Sequence, residues 1–248
     1  MLKLNNISLI YQSKNTETHA VDNLSFEVKK GEFVSIVGPS GCGKTTLLSL
    51  IAGLIKPSNG SITLNGEKIT KPTPLISYMF QKDNLFEWLT IEKNVNIGLT
   101  IMHKANKEAK AYSKNLLAKY GLKDFISHHP HELSGGMRQR VALIRTLATK
   151  PEILLLDEPF SALDYQTRLM VQDDVHKIIK SEGKTAILVT HDISEAVSMS
   201  DRVFILTARP ATLKKELVLN FEDNLSPFQR RSSPIFNQYF NEIWGELA

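Results

Sequence analysis

The 248-residue chain has one cysteine, Cys42, so it has no internal disulfide framework and we expect a reducing compartment. It has no long apolar stretch. The longest runs, such as Ile153–Leu156 and Ala186–Val189, are far shorter than the roughly 20 residues that span a bilayer. Residues Met1 to Tyr11 lack the continuous apolar core of a signal peptide. We therefore expect a cytoplasmic protein that reaches a membrane only through a partner.

Blocks of one charge are also missing. Lys and Arg total 30, Asp and Glu total 26, and the net charge is only +4. We interpret the densest basic pairs, Lys214–Lys215 and Arg230–Arg231, as solvated surface, and we expect no nucleic-acid partner. The 42% hydrophobic and 23% charged residues are typical of a globular protein with a sizeable core.

Apolar patterns indicate an α/β protein with a mostly parallel sheet. Short apolar runs at Phe33–Val37, Ile153–Leu156 and Ala186–Val189 are typical of strands buried on both faces. The helical pattern at roughly 165–181 lies between the last two and predicts a β-α-β unit. Alternating apolar residues predict strands within 2–9 and 24–28.

Helical patterns dominate two further regions. Residues 90–120 are helical in pattern, and Met137, Val141, Ile144 and Ala148 share one face of a later helix, so we predict an inserted helical subdomain at about 85–150. The tail at 221–248 is more polar, and its last stretch, 236–247, predicts a small amphipathic helix.

A glycine-rich loop follows the strand Phe33–Val37 and precedes a predicted helix. The sequence Gly38-Pro39-Ser40-Gly41-Cys42-Gly43-Lys44-Thr45 matches G-x-x-x-x-G-K-[ST] at every fixed position. Such a loop cradles phosphate with its backbone N–H groups, Lys44 reaches the β- and γ-phosphates, and the Thr45 hydroxyl coordinates Mg²⁺. The alternative is a glycine turn with a chance lysine. Nothing supplies a resolving partner that would favour a redox role for Cys42.

Two carboxylates end the hydrophobic strand Ile153–Leu156. Asp157 is placed to hold Mg²⁺ through water, and Glu158 to polarise the attacking water. The alternative is an acidic turn before Pro159, but a turn alone does not require two carboxylates.

The segment Leu133-Ser134-Gly135-Gly136-Met137-Arg138-Gln139-Arg140 narrows the class of P-loop protein. Ser134 is a good N-cap, and the two glycines leave open a helix N-terminus suited to anions. A capped surface helix would explain the serine but not both glycines. The segment resembles the LSGGQ signature of ABC transporter ATP-binding subunits, with Met137 in place of the usual Gln. In that family the signature binds the γ-phosphate held by a second subunit.

The resemblance extends to other positions in family order. Tyr11 resembles the aromatic residue that stacks on adenine, although alone it would be a strand-edge aromatic. Gln81, after a predicted strand 76–80, resembles the Q-loop glutamine that touches Mg²⁺ or water. His191 resembles the switch histidine at the γ-phosphate, and Asp192 with Glu195 predicts a capping box for the next helix. Asp164 ends a segment similar to the D-loop at the dimer interface, or serves as an N-cap, or both.

The resemblance implies fold, catalysis and partners together. It implies a P-loop NTPase core with an N-terminal antiparallel β subdomain and an inserted helical subdomain, all within 1–220. The implied catalytic residues are Lys44, Gln81, Glu158 and His191, and the implied cofactors are ATP and Mg²⁺. Each site is split: one copy supplies residues Gly38–Thr46 and the other supplies Ser134–Gly136. ATP then joins two copies head to tail.

The resemblance also implies an importer at the cytoplasmic face of a membrane, with permease subunits and, indirectly, a substrate-binding protein as partners. Residues 158–209 look most like the branch serving nitrate, sulfonate, taurine and related solutes, although Ala211 stands where that branch often has Gly. Phe86 and Trp88 are candidate anchors for a permease helix, or core residues of the subdomain. The exporter alternative is less favoured, because exporters often fuse the motor to a membrane domain.

Three other classes of P-loop protein fit the sequence less well than the ABC transporter family. A soluble ABC-type ATPase acting on DNA or the ribosome would carry long coiled coils or two fused domains, and neither is present. An unrelated P-loop kinase or GTPase would lack Leu133–Gly136. A regulatory module without turnover would not need both Glu158 and His191.

Overall fold

The computed structural model describes residues 1–12, 16–222 and 225–248. Its strands form two sheets. The first has the order β2-β1-β4-β5 and is antiparallel throughout. Its strands are β1 (Leu2–Gln12), β2 (Glu17–Val28), β4 (Asn59–Leu64) and β5 (Glu67–Lys68). This confirms the expected antiparallel sheet near the N-terminus.

The second sheet has six strands in the order β10-β9-β3-β8-β7-β6, and only β10 is antiparallel to its neighbour. The strands are β3 (Phe33–Val37), β6 (Ile76–Met79), β7 (Ile153–Asp157), β8 (Thr185–Val189), β9 (Arg202–Leu206) and β10 (Leu213–Val218). Every residue of β3, β7, β8 and β9 is buried, which explains their continuous apolar sequences. The predicted mostly parallel sheet is confirmed.

Eight α-helices connect or flank the strands within the described residues. They are α1 (Lys44–Ile51), α2 (Ile91–Ile101), α3 (Lys107–Lys119), α4 (Gly135–Ala148), α5 (Tyr165–Ser181), α6 (Ile193–Met199), α7 (Pro227–Arg231) and α8 (Pro234–Leu247). Two 3₁₀ turns, Lys123–Phe125 and Pro130–Glu132, precede α4. Helices α2, α3 and α4 lie between β6 and β7 and pack on one another, as expected of an inserted helical unit. No helix of the described residues is long and apolar enough to cross a membrane.

Helix α8 packs on α6 and on strand β9 of the six-stranded sheet, and α7 packs on α5 and α6. Phe236 and Ile243 of α8 are buried in a cluster with Val37, Val203 and Ile205. The prediction that Arg230 and Arg231 are solvated surface is wrong. Both guanidinium groups donate hydrogen bonds into the body of the protein, which a sequence pattern confined to the tail does not reveal.

Strand β4 begins at Asn59, within the pair Asn59-Gly60, whose residue types favour a turn. Asn59 pairs with Ser8 of β1, so these residues extend the antiparallel sheet. The Ser58 backbone also donates to the Ser8 carbonyl, and this long-range pairing overrides the local turn preference of Asn-Gly.

Candidate active site

The phosphate loop connects the buried strand β3 to helix α1. Gly43 is the N-cap of α1 with φ 118°, in the left-handed region that favours glycine. A Cβ at this position would also lie 3.2 Å from the Ala20 carbonyl oxygen. The loop therefore needs glycine both for its turn into α1 and for its approach to β2.

Two side chains of the loop point in different directions. Lys44 is only 7% exposed, and its Nζ donates hydrogen bonds to the carbonyl oxygens of Gly38 (2.8 Å) and Pro39 (3.0 Å). Cys42 is buried in the hydrophobic core, so only its backbone faces the loop. The ammonium group is thus held over the loop where phosphate is expected to lie.

Asp157 ends strand β7 beside the start of α1. Its Oδ1 accepts a hydrogen bond from the Thr45 hydroxyl (3.2 Å), and its Oδ2 accepts one from the Tyr78 hydroxyl (2.8 Å). Burial raises the pKa of the Asp157 carboxyl, and the charge of Glu158 adds to the rise. Carboxylate and hydroxyl oxygens are the hard ligands that Mg²⁺ prefers, so these two side chains, already in contact, fit the ion.

Glu158, His191 and Gln81 come together at the ends of β7, β8 and β6. The Glu158 Oε2 lies 3.1 Å from Nδ1 of His191 and 3.4 Å from Nε2 of Gln81. Glu158 has φ 44°, an uncommon value for a residue other than glycine, and its backbone N–H donates to the Val189 carbonyl. The carboxylate is therefore turned out of strand β7 toward His191.

A cleft of about 530 Å³ joins Glu158 and His191 to the phosphate loop. Its lining residues are Ser40, Gly41, Gly43, Lys44, Thr45, Thr46, Glu158, His191 and Arg209. The structure thus brings most of the predicted one-copy residues to one place, at the carboxyl ends of parallel strands, where α/β proteins bind ligands.

Other predicted site residues do not line this cleft. Tyr11 is 43% exposed on β1, and Ser134 and Gly135 are exposed at the start of α4. Ser134 caps α4 by accepting a hydrogen bond from the Met137 N–H, as predicted. Gly136 is buried, and a Cβ there would meet Val171 of α5 at 2.9 Å. The second glycine of the signature therefore has a packing role within one copy, which the sequence interpretation did not include.

The predicted helix caps are confirmed in part. The Asp164 side chain accepts a hydrogen bond from the Thr167 N–H and caps α5, while its interface role stays a prediction. Asp192 caps α6 through the N–H groups of Ser194 and Glu195. Glu195 does not complete a capping box, because its carboxylate bonds to side chains elsewhere.

Sequence reasoning missed two side chains of the site. It did not assign a role to Tyr78, whose hydroxyl binds Asp157, or to Arg209, whose Nη2 donates to the Gly41 carbonyl at 2.8 Å. Tyr78 lies three residues before Gln81 on β6, and this adjacency was the available signal. Arg209 lies after β9, next to the phosphate loop, because β9 and β3 are neighbours in the sheet.

A protein-family model described as "ABC transporter" matches residues 21–161, more than half of the chain. The chain belongs to the ABC transporter family. This ABC protein is an ATP-binding subunit that hydrolyses ATP, as the order of its motifs predicted.

Its relatives match nearly end to end. The chain is 47% identical over 247 residues to the uncharacterized ABC transporter ATP-binding protein YtlC of Bacillus subtilis, covering 99% of this chain and 95% of the relative. It is 40% identical to the taurine import ATP-binding protein TauB of Jannaschia sp., covering 99% and 93%. It is 39% identical to the aliphatic sulfonates import ATP-binding protein SsuB of Bacillus thuringiensis, covering 98% and 94%.

A solved structure agrees with the fold. The dimeric post-hydrolysis state of the ATP-binding cassette MJ0796, bound to ADP and Pi, superimposes with a TM-score of 0.74 and 33% identity, covering 90% of this chain and all of that one. The predicted P-loop NTPase fold and the resemblance to the importer branch are thereby confirmed.

Proposed function

We propose that this subunit powers an importer for a small solute, from a cargo class of sulfonates, nitrate, taurine and vitamin precursors. The observation that carries this proposal is the cluster of Glu158, His191 and Gln81 over the phosphate loop, in a chain similar end to end to two import ATP-binding proteins. The nearly equal identities to the taurine and sulfonate relatives favour the class rather than one member of it.

We assign the nucleotide contacts of one copy as follows. The backbone N–H groups of residues 38–46 cradle the phosphates, and Lys44 transfers its hydrogen bonds from the Gly38 and Pro39 carbonyls to the β- and γ-phosphates. Tyr11, exposed on β1, provides the platform for adenine.

Thr45, Gln81 and Asp157 are the residues that would hold Mg²⁺. The ion, when bound, neutralises charge on the phosphate oxygens. The Thr45 hydroxyl and Asp157 carboxylate already lie within 3.2 Å of each other, so few side-chain movements are needed to hold it. The Tyr78 hydroxyl fixes the other carboxylate oxygen and restricts its rotation.

Glu158 is assigned as the general base. Its carboxylate accepts the proton of the attacking water as the water oxygen bonds to the γ-phosphorus and the bond to ADP breaks. His191, 3.1 Å from that carboxylate, contacts the γ-phosphate, and Gln81 orients the water. The unusual backbone conformation of Glu158 aims the carboxylate at this position.

The second half of the site belongs to another copy of the chain. Ser134 and Gly135 are exposed, lie at the positive N-terminal end of α4, and do not line the cleft of their own copy. Asp164 is placed to cross the same interface. A head-to-tail dimer brings both segments to the γ-phosphate, in agreement with the dimeric state of the MJ0796 cassette.

The contact with the permease is assigned to the segment after Gln81. Phe86 and Trp88 pack on each other, with ring centroids 5.1 Å apart, and Trp88 is 74% exposed. Arg138 of α4 binds Asp83 through two hydrogen bonds of 2.8 and 3.0 Å, so this segment moves with the signature helix. These contacts support docking of a permease helix here, at the cytoplasmic face of the membrane.

We also propose the division of the chain into an ATPase domain at 1–220, with the helical subdomain at about 85–150, and a C-terminal tail at 221–248. The packing of α2, α3 and α4 on one another supports the subdomain. The tail is partly helical through α7 and α8.

The catalytic assignment is tested with Glu158→Gln. We expect this variant to bind ATP, to form a stable dimer in size-exclusion chromatography, and to lose about 10²–10⁴-fold in turnover, because the amide cannot accept the water proton. Adding Lys44→Ala should return it to the monomer. Full turnover by Glu158→Gln would refute the general-base role.

The importer assignment is tested by purifying the tagged subunit from its native membranes. We expect a multi-span permease, with a solute-binding protein, to copurify. That solute-binding protein is then screened against taurine, alkyl sulfonates and nitrate by calorimetry. Repeated recovery with only non-membrane partners would refute the importer and leave the ATPase assignment intact.

A further inference from the structure

A buried chain of hydrogen bonds joins the C-terminal segment, residues 225–248, to the switch region. Arg231 donates from Nη2 to Oε1 of Gln172 (2.9 Å), and Gln172 donates from Nε2 to Oε1 of Glu195 (3.0 Å). The Glu195 Oε2 accepts from the Thr190 hydroxyl (2.7 Å), whose oxygen accepts from the Asp192 N–H (3.0 Å). The chain thus runs from α7 through α5 and α6 to the end of β8.

Every inner member of this chain is shielded from water. Gln172 is 0% exposed, Thr190 is 1% and Glu195 is 3%. A lost partner therefore cannot be replaced by bulk solvent, and the remaining groups must rearrange or stay unsatisfied. The orientation of the Gln172 amide is set by its two neighbours, because its carbonyl faces a cation and its NH₂ faces a carboxylate.

The chain of hydrogen bonds ends at Thr190 and Asp192, the residues on either side of the switch histidine, His191. Thr190 and Asp192 are bonded to each other across His191, so the backbone that carries the imidazole is held by the Thr190 hydroxyl. The imidazole itself is 63% exposed and lies 3.1 Å from Glu158. Its aim toward the γ-phosphate position therefore depends on that backbone rather than on packing of the ring.

The C-terminal segment also holds the other end of α6, the helix that follows His191. Arg230 donates from Nη1 to the carbonyl oxygens of Ser198 (3.4 Å) and Ser200 (2.7 Å). Phe236 and Ile243 of α8 bury the apolar face of the same helix. Helix α6 is thus held at its first turn, its face and its last turn by one segment.

We infer that Arg231 is a positioning residue for ATP hydrolysis, which holds the backbone around His191 through this chain. The inference rests on the proposed role of His191 at the γ-phosphate. It gives the tail a function in the motor, because a change in how residues 225–248 pack is transmitted to the catalytic end of β8 without any contact with nucleotide.

The test compares the steady-state ATP hydrolysis of variants of the 248-residue protein. Arg231→Met removes the donor and keeps an apolar stem, and we expect kcat to fall about 10-fold while KM for ATP changes less than about twofold. The control is Lys215→Met, which removes the surface ion pairs of Lys215 to Glu242 and Glu246 of α8 and leaves both the hydrogen-bond chain and the buried face of α8 in place. Its kcat should stay within about twofold of the parent.

Further measurements separate positioning from a loss of folded protein. Arg231→Lys keeps one donor and should recover part of kcat. Gln172→Leu should lower kcat, and its combination with Arg231→Met should lower kcat hardly further, because both break the same chain. The side-chain NMR signals of His191 should shift in Arg231→Met and not in Lys215→Met.

The variant His191→Ala separates the proposed role of His191 at the γ-phosphate from the inferred positioning role of Arg231. If His191→Ala hydrolyses ATP normally, the proposed role of the histidine is wrong. If His191→Ala is impaired while Arg231→Met and Lys215→Met have the same kcat, or while the Gln172 and Arg231 effects multiply, the positioning role of Arg231 is overturned and the role of His191 stands.

Discussion

The hydroxyl of Tyr78 shows how a single atom can support a buried carboxylate. It donates to Asp157, which is otherwise bonded only through Thr45 among the side-chain donors described here. Burial raises the pKa of the Tyr78 phenol, so it remains a donor at physiological pH. If Asp157 holds Mg²⁺ as proposed, the Tyr78 hydroxyl supports this ligand and does not act as an acid.

Tyr78→Phe should weaken both stability and function. We expect the free energy of unfolding to fall by about 1–2 kcal/mol, because a hydrogen bond to a buried carboxylate is lost, and the Mg²⁺ requirement to rise about 10-fold. Urea unfolding and ATPase titrations with Mg²⁺ measure the two effects. The control is Tyr112→Phe, which removes a bond to Glu182 away from the cleft and should leave the Mg²⁺ requirement unchanged. An unchanged requirement in Tyr78→Phe would contradict the supporting role.

His176 of α5 should make stability depend on pH. Burial lowers the pKa of its imidazole from 6.5 to about 4, and the charges of Arg230 and Lys180 add to the fall while those of Asp201 and Asp173 oppose it. The unfolded chain protonates this imidazole near 6.5, but the folded protein resists protonation until about pH 4. The contribution of His176 to the free energy of unfolding is therefore constant above about pH 6.5. As the pH falls from 6.5 to about 4, this contribution decreases by up to about 1.4 kcal/mol per pH unit.

His176→Leu isolates this contribution. Asp157 and Glu195 have raised pKa values, so they act in the opposite direction in both proteins and cancel in the difference. Urea unfolding at pH 7.5, 6.0 and 5.0 should show the variant gaining stability relative to the parent as pH falls. If the difference in the free energy of unfolding between variant and parent is the same at all three pH values, a buried neutral histidine is ruled out.

At the scale of elements, the two signature glycines have different tasks. A methyl group at Gly136 would lie 2.9 Å from Val171 of α5, and one at Gly135 would lie 3.2 Å from the end of the flexible Leu163 side chain. Gly136 faces the neighbouring helix, whereas Gly135 faces solvent. The same substitution should therefore have separable consequences at the two positions.

Gly136→Ala should lower the free energy of unfolding by about 1–2 kcal/mol through overpacking of α4 against α5. Gly135→Ala should leave stability within about 1 kcal/mol, since the better helix propensity of alanine offsets the closer contact. It should nevertheless weaken the ATP-driven dimer, because the added methyl group narrows the helix N-terminus to which we propose that phosphate binds. Thermal unfolding of both variants measures the change in stability. Size-exclusion chromatography of both variants in a Glu158→Gln background measures the ATP-driven dimer. Equal stability losses at both positions would contradict the distinction.

Elements defined by local patterns were predictable from the sequence. Strand Phe33–Val37 and helix Tyr165–Ser181 have the predicted bounds, because strong periodicity and a cap such as Asp164 are local properties. Contacts between distant residues were not predictable. Glu195 bonds to Gln172, 23 residues away, instead of closing a local capping box, and Arg231 is 59 residues from the same glutamine. Such partners are set by how helices pack on the sheet.

At the scale of the whole molecule, the proposed ATP site consists of two parts, the phosphate loop and the signature segment, which do not line one cleft within a single copy. The cleft of one copy includes Lys44 and Glu158 but not Ser134 or Gly135. If two copies pair head to tail, each supplies the phosphate loop of one site and the signature of the other. A variant defective in the loop and a variant defective in the signature then complement each other, although each is inactive alone.

Mixing Lys44→Ala with Gly135→Asp tests this division directly. Lys44→Ala removes the phosphate-binding cation, and Gly135→Asp places a carboxylate where the γ-phosphate is expected, so each protein alone should hydrolyse almost no ATP. In a mixed dimer one site combines the intact loop of the signature variant with the intact signature of the loop variant. An equimolar mixture should therefore recover up to about a quarter of the parent activity, since half of the dimers are mixed and half of their sites are intact. Two loop variants mixed together, such as Lys44→Ala with Lys44→Met, should recover nothing. If the first mixture is as inactive as the second, loop and signature act within one copy, and the head-to-tail dimer is wrong.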